Sequence, residues 1–136
     1  MTSASTHETA PPAGALDGLR RRTTALLTTH RRDGTPVATP VMIAVVGDRP
    51  VFLTFHSAGK AKRLRRDPSV LAAPSTFRGA PRGEAVSGRA RLLAGDQARA
   101  ARSALAHRSP VLVGVLVPLV FWLAHLRPLY YVVEPA

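Results

Sequence analysis

From Thr23 onward, turn-forming clusters cut much of the chain into apolar runs of six to eleven residues, too short for long helices over most of its length. Thr23 to His30 (TTALLTTH) is rich in leucine and β-branched residues, and the Asp33-Gly34 pair behind it is a hairpin signal. Pro36 to Val46 (PVATPVMIAVV) is apolar on both alternating faces, the pattern of a central or barrel-forming strand. Pro40 inside it calls for a bulge or a locally unpaired edge. A second turn, Gly47 to Pro50, leads into Val51 to His56 (VFLTFH), so three successive runs read as an antiparallel meander. Strand character resumes at Ser69 to Ser75, Ala85 to Leu93 and Leu129 to Glu134. In Ala85 to Leu93, Val86, Ala90 and Leu92 alternate with Ser87, Arg89 and Arg91, so one face is wet or meets an anion.

Helices are expected at two places. Lys60 to Arg66 is a short basic helix that turns Ala61 and Leu64 inward and stops at Asp67-Pro68, because proline disfavours helix at the residue before it. Asp96 is a plausible cap for a helix through His107, with Ala98, Ala101 and Leu105 as its stripe. Residues 1 to 15 are small, polar and proline-containing, and read as a disordered tail rather than a targeting segment. The expectation is therefore a mainly β (α+β) domain over residues 16–136, a small closed or split β-barrel with one or two short helices outside it. Closure hides the edges of so many short strands. A ferredoxin-like sandwich ranks second, since it needs a longer crossover between the early strands.

Nineteen Lys and Arg against eight Asp and Glu give a formal charge of +11, nearly all of it arginine, and this directs attention to anionic partners. Cysteine is absent, which excludes disulfides, thiolate metal sites and a cysteine nucleophile. No phosphate-binding Gly-x-x-x-x-Gly-Lys loop, dinucleotide fingerprint, nucleophile elbow or His-Glu-x-x-His pair is present, and the five histidines are scattered. An enzyme with this sequence would need a bound cofactor to carry its reaction. A nucleic-acid partner is the weaker reading of the charge, because the seven aromatic residues form no stacking motif.

The feature that favours a bound anion is Ser57-Ala-Gly59-Lys60-Ala-Lys-Arg63. A helix start already offers free N–H groups, to which this segment adds a hydroxyl, an ammonium and a guanidinium fork. The Arg78 and Arg82 loop is a second, less specific clamp.

Residues 26 to 95 resemble the pyridoxamine-phosphate-oxidase-like split-barrel proteins, in particular their coenzyme F420-dependent oxidoreductase branch in actinobacteria. Three parts carry the resemblance: the Asp33-Gly34-x-Pro36 hairpin leading to Thr39-Pro40-Val41, the Ser57-x-Gly59-Lys60-x-x-Arg63-Leu64 segment running to Asp67-Pro68, and the Arg78-Gly79-x-x-x-Gly83 loop. The resemblance implies a homodimer holding a flavin or deazaflavin in a groove at the subunit interface. It implies that Thr39, Pro40, Val41 and Met42 lie along the ring, that Thr54, His56, Ser57 and Gly59 line the groove, and that Lys60 and Arg63 grip the phosphate. F420 bears an oligoglutamate tail beside its phosphate, so a rim of Arg63, Arg65, Arg78 and Arg82 suits it better than FMN, the alternative cofactor.

The implied chemistry is hydride transfer to a small organic acceptor, with His56 as candidate proton donor and His30, Tyr130 and Tyr131 behind it. A carrier that binds the cofactor without turnover is the alternative, and a cytoplasmic location is expected. The chain departs from that branch at residues 110 to 126, which hold fifteen consecutive uncharged residues, Pro110 to Ala124. That is short of the roughly 20 residues a membrane-spanning helix needs, and Pro118 interrupts it. A subunit interface through Phe121 and Trp122 is the preferred reading, with peripheral membrane contact as the other.

Overall fold

The computed structural model describes residues 13–110 and 112–135. In chain order these form α1 (Ala13–Arg21), β1 (Thr24–His30), β2 (Pro36–Val46), β3 (Arg49–Phe55), α2 (Gly59–Arg66), β4 (Ser69–Pro74), β5 (Val86–Leu92), α3 (Gly95–Arg108), a π-helical turn (Leu112–Leu116), α4 (Val117–Leu123) and β6 (Pro128–Glu134). All six strands pair antiparallel in the closed order β1-β2-β3-β6-β5-β4. The expected barrel is therefore present, but with four α-helices among the described residues rather than one or two.

The turns follow their local chemistry. Asp33 accepts from the Thr35 N–H at 2.9 Å and Gly34 takes φ +90°, which closes the five-residue loop between β1 and β2. Gly47 at φ +66° makes the tight turn between Val46 and Arg49, so β3 begins two residues earlier than its apolar run suggests. Asp96 does not cap α3. Ala94 is the cap residue, without a side-chain bond, and Asp96 lies in the first turn paired with Arg99.

Alternation along the strands separates two cores. Ala25, Leu27, Val41, Ile43, Phe52, Val70, Ala72, Val86, Tyr131 and Val133 fill the barrel, where the Phe52 and Tyr131 rings stack at 5.2 Å. On the outer face Ala44, Val51, Leu53 and Val132 pack against Ala101 and Leu105 of α3. The charged face of β5 meets the carboxylate of Glu134, which bridges Arg91 and Arg49. Leu92, placed with the apolar set by the alternation, is half exposed because β5 is running out of the barrel there.

α1 was not expected, and it overlaps the last three residues assigned to the tail; residues 1 to 12 of that tail lie outside the described residues. Ala15, Leu16 and Leu19 enter the barrel core, and a Cβ at Gly18 would stand 3.0 Å from the Pro74 ring, so α1 packs closely on β4. Its two glycines and polar surface mask a short apolar stripe that becomes favourable only once the barrel supplies a face to cover.

β2 pairs with β1 over seven residues, Pro36 to Met42, but with β3 over only four, Ile43 to Val46. The Ile43 N–H bonds to Thr23 O, so by antiparallel alternation the ring nitrogen of Pro40 faces away from β1, toward the side β3 has left. Pro40 thus takes the unpaired-edge alternative, with no bulge in its register with β1.

At Gly88 β5 lies close against β6: a Cβ there would collide with the Glu134 carbonyl and Val133 Cγ1. Gly88→Ala is expected to lower stability by ~1–3 kcal/mol, the scale of overpacking. Urea unfolding checks this as a lower midpoint at constant slope; an unchanged midpoint would mean the strands have room to spare.

Candidate functional site

Where β2 and β3 part, the barrel is split. Had the ladder continued past Ile43 and Phe52, Thr54 would face Val41 and His56 would face Thr39. Instead two threonine hydroxyls, Thr39 Oγ1 and Thr54 Oγ1, are buried without any hydrogen-bond partner. Burying an unpaired hydroxyl is unfavourable by about 1–3 kcal/mol, so two of them on the same split mark a place suited to a polar ligand.

α2 stands at this end of the barrel, its Ala61 and Leu64 turned inward and packed. Its N-cap residue, Ala58, makes no side-chain cap bond, which leaves the first-turn N–H groups free of a capping side chain. Ser57 is therefore one residue too early to cap, and is exposed. Lys60 is half-buried, and burial first, then the Arg63 charge, holds its ammonium below the ordinary lysine value. Arg63 is fixed by an Nε donation to Thr29 Oγ1 at 2.6 Å, and its guanidinium lies over Gly59, where a Cβ would stand 3.0 Å from Nη1. Burial, then Arg31 and Arg66, lowers the pKa of Arg63.

This cationic cluster has no acid paired to it among the described residues. Asp67, the nearest carboxylate in sequence, accepts from the Ser69 N–H instead, and that bond holds it below the ordinary range. Thr29 and Arg31 were missed by sequence reasoning. Thr29 had a signal, since it follows Ala25 and Leu27 on the inward face of β1; Arg31 had none beyond its charge.

The remaining candidates fall into place unevenly. Val41 is in the barrel core and Met42 packs under α3, so along residues 39–42 the side chains point alternately inward and outward. Pro40 is exposed, and the Arg78 to Arg82 loop folds onto it: a methyl at Gly79 would lie 3.8 Å from its ring and 3.5 Å from Leu26. That loop thus meets the outer side of β2, with Arg78 and Arg82 exposed.

His56 is pinned to the start of β6. Its N–H donates to Arg127 O at 3.0 Å and its Nδ1 accepts from the Arg127 N–H at 3.1 Å, which leaves the ring proton on Nε2. Tyr131 is stacked in the core, and burial holds its phenol above the ordinary value; Tyr130 is raised by burial too and belongs to the outer face. His30 Nδ1 is buried without a partner at the end of β1.

These residues fit a phosphorylated tricyclic cofactor: orphaned hydroxyls beside a strand gap, uncapped helix N–H groups, and clustered cations beyond them. Comparison with solved structures bears on the fold. A 21% identical F420 reductase matches 92% of this chain and 95% of its own, with a TM-score of 0.63. A protein of Listeria innocua provisionally assigned as a pyridoxamine 5'-phosphate oxidase is 15% identical over 88% and 89%, with a TM-score of 0.60. The fold is the pyridoxamine-phosphate-oxidase-like split β-barrel.

A protein of unknown function from Agrobacterium tumefaciens shares this split barrel at 20% identity and a TM-score of 0.71 over 90% of the chain, which spans only 52% of it. Haem-binding proteins share the split barrel as well. No protein-family profile matches the sequence, and no curated protein does.

If the orphaned hydroxyls await a ligand, Thr54→Val should leave the free protein as stable as before or slightly more so, yet weaken flavin or deazaflavin binding by ~0.5–1.5 kcal/mol. Thermal unfolding and a binding titration on one sample check both halves. Loss of stability without loss of affinity would assign the hydroxyl to the fold.

Proposed function

We propose that this protein binds coenzyme F420 at the β2–β3 split and acts as a deazaflavin-dependent oxidoreductase on a small organic acceptor. The observation that carries the reading is a group of cations without a paired acid, Lys60 and Arg63 at the uncapped start of α2 with the charges of Arg31 and Arg66 acting on Arg63, in a barrel whose split leaves the Thr39 and Thr54 hydroxyls without partners. Lys60 and the α2 N–H groups would hold the phosphate, and Arg63, already oriented by Thr29, would keep its fork in place without losing much side-chain freedom. The exposed Arg65, Arg78 and Arg82 supply further cations for an acidic tail. When bound, the reduced deazaflavin supplies a hydride. The chain's own work is to bind, to orient and to exclude water, with His56 Nε2–H the proton donor nearest in sequence to the anion cradle.

The near full-length match to an F420 reductase supports the cofactor class. The proposal includes a homodimer in which a second copy completes the groove along the open edge of β2. A carrier role without turnover is the second reading, favoured by the engagement of His56 Nδ1 with Arg127.

Titration with F420 and with FMN at constant salt, followed by fluorescence, tests the cofactor. Saturable and tighter binding of F420 is expected, weakened by ~1.5–3 kcal/mol in Lys60→Ala, the usual scale for a charge-assisted hydrogen bond. Preference for FMN would replace the cofactor, and binding of neither would end the proposal. Oxidation of reduced F420 in an acceptor screen separates enzyme from carrier.

Lys60 also gives the binding a pH signature. Burial disfavours its ammonium, so the folded chain releases that proton at lower pH than the unfolded chain does, and stability rises with pH between the two values. A bound phosphate favours the ammonium instead. Cofactor affinity is therefore expected to fall as pH rises through the folded value of Lys60, below the ordinary lysine range, and Lys60→Arg should abolish that fall. A pH-independent affinity in the wild type would remove Lys60 from the phosphate site.

A further inference from the structure

The π-helical turn runs without a break into α4, and together they form a helical arm that is apolar on both of its faces. Its inner face is packed: Val113 is buried, and the Phe121 ring meets Phe55 edge-on at 5.8 Å. Its outer face holds Val115, Leu116, Leu119, Val120, Trp122 and Leu123, each 44–73% exposed. A surface helix normally turns polar residues outward, and none of these positions is polar. An apolar groove of about 350 Å³ runs beside it, lined by Arg102, Pro118, Phe121, Trp122, Leu126 and Tyr130.

Backbone hydrogen bonds close the arm at its C-terminal end. At its end the Leu126 N–H bonds to Phe121 O at 2.7 Å and the His125 N–H to Trp122 O, with His125 in the left-handed conformation at φ 57°. This is a Schellman closure made without glycine, so the chain tolerates local strain to reverse directly behind Trp122 and Leu123.

The charges around the arm all have one sign. From Gln97 to Val133 the sequence contains no Asp or Glu, while Arg99, Arg102, Arg108 and Arg127 fall within it. Arg108 is occupied by the carbonyls of Leu19 and Arg22, and Arg99 pairs with Asp96, but Arg102 lines the groove and Arg127 is exposed at the arm's end. An outward apolar strip bordered by cations and free of acids is the pattern of a segment that lies in the interface of an anionic membrane. A second copy suits it less well, since symmetric pairing through this face would bring the same cations together. Among the described residues no helix is long and apolar enough to cross a membrane.

We propose that this face, Val115 to Leu123 with Arg102 and Arg127 at its rim, docks the protein onto the surface of an anionic phospholipid bilayer. The docking does not depend on the cofactor reading. Trp122 is the sole tryptophan of the chain, so its emission reports on this face alone.

The test uses the full chain with vesicles of phosphatidylcholine and of phosphatidylcholine mixed equally with phosphatidylglycerol. The expected result is a blue shift of Trp122 emission and co-sedimentation with the anionic vesicles, both reduced by salt. The double variant Leu119→Glu/Leu123→Glu alters only exposed positions and should keep its thermal unfolding while weakening vesicle binding on the order of tenfold or more. Three results would overturn the proposal. One is no shift with either vesicle; another is full binding by the double variant, which would place the contact on basic surface elsewhere. The third is a blue shift without lipid that rises with protein concentration and disappears in the double variant, which would assign the face to a second copy.

Discussion

The early end of the β2–β3 ladder is the constraint on which the rest of the structure depends. β2 is eleven residues long, yet β3 accompanies only its last four, because from Leu53 onward β3 follows β6 alone while β2 continues along β1. Pro40 is suited to this place: it has no N–H to leave unpaired on the open side. The parting strands expose what a continuous ladder would have sealed, and two inward threonines lie there in place of another apolar layer. α2 covers the end of the barrel with Ala61 and Leu64, and in doing so brings Lys60 partly out of water.

Charge then decides what the split is suited to hold. Asp67, the nearest acid in sequence, is already engaged by the Ser69 N–H, and Glu134 lies at the opposite end of β6 with Arg49 and Arg91. The cations of α2 and Arg31 therefore repel one another in the free protein, and packing of the helix, together with the Arg63 bond to Thr29, offsets that repulsion. A ligand carrying negative charge removes the repulsion and pairs the donors in one step, which couples binding to stability. The apolar arm on the outer face stands on the same β3 through Phe121 and Phe55, so its surroundings and the site are joined by one strand.

Much of the barrel was legible because its signals are local. Asp33-Gly34, Gly47-Asp48 and Asp67-Pro68 mark turns by their own backbone preferences, and alternation in β1, β2 and β4 separates inward from outward residues without knowledge of their partners. That Lys60 and Arg63 share one face of a short basic helix could be read from helix spacing alone. α1 could not be seen, since AGALDGLRR has two glycines and its stripe of Ala15, Leu16 and Leu19 gains meaning only against the barrel. Asp96 was misplaced by one residue pair, because cap preference does not say which of several candidate positions the backbone will leave non-helical.

By itself, then, the sequence determined the strands, the basic helix and the clustering of positive charge, since each is set by residues within a few positions of one another. Only the tertiary structure decided where β2 and β3 part, which hydroxyls are left without partners, that Arg63 is steered by Thr29 thirty-four residues away, and which side of the apolar arm stays uncovered. These depend on ladder register and on burial across distant segments, and no local preference specifies which distant groups will meet.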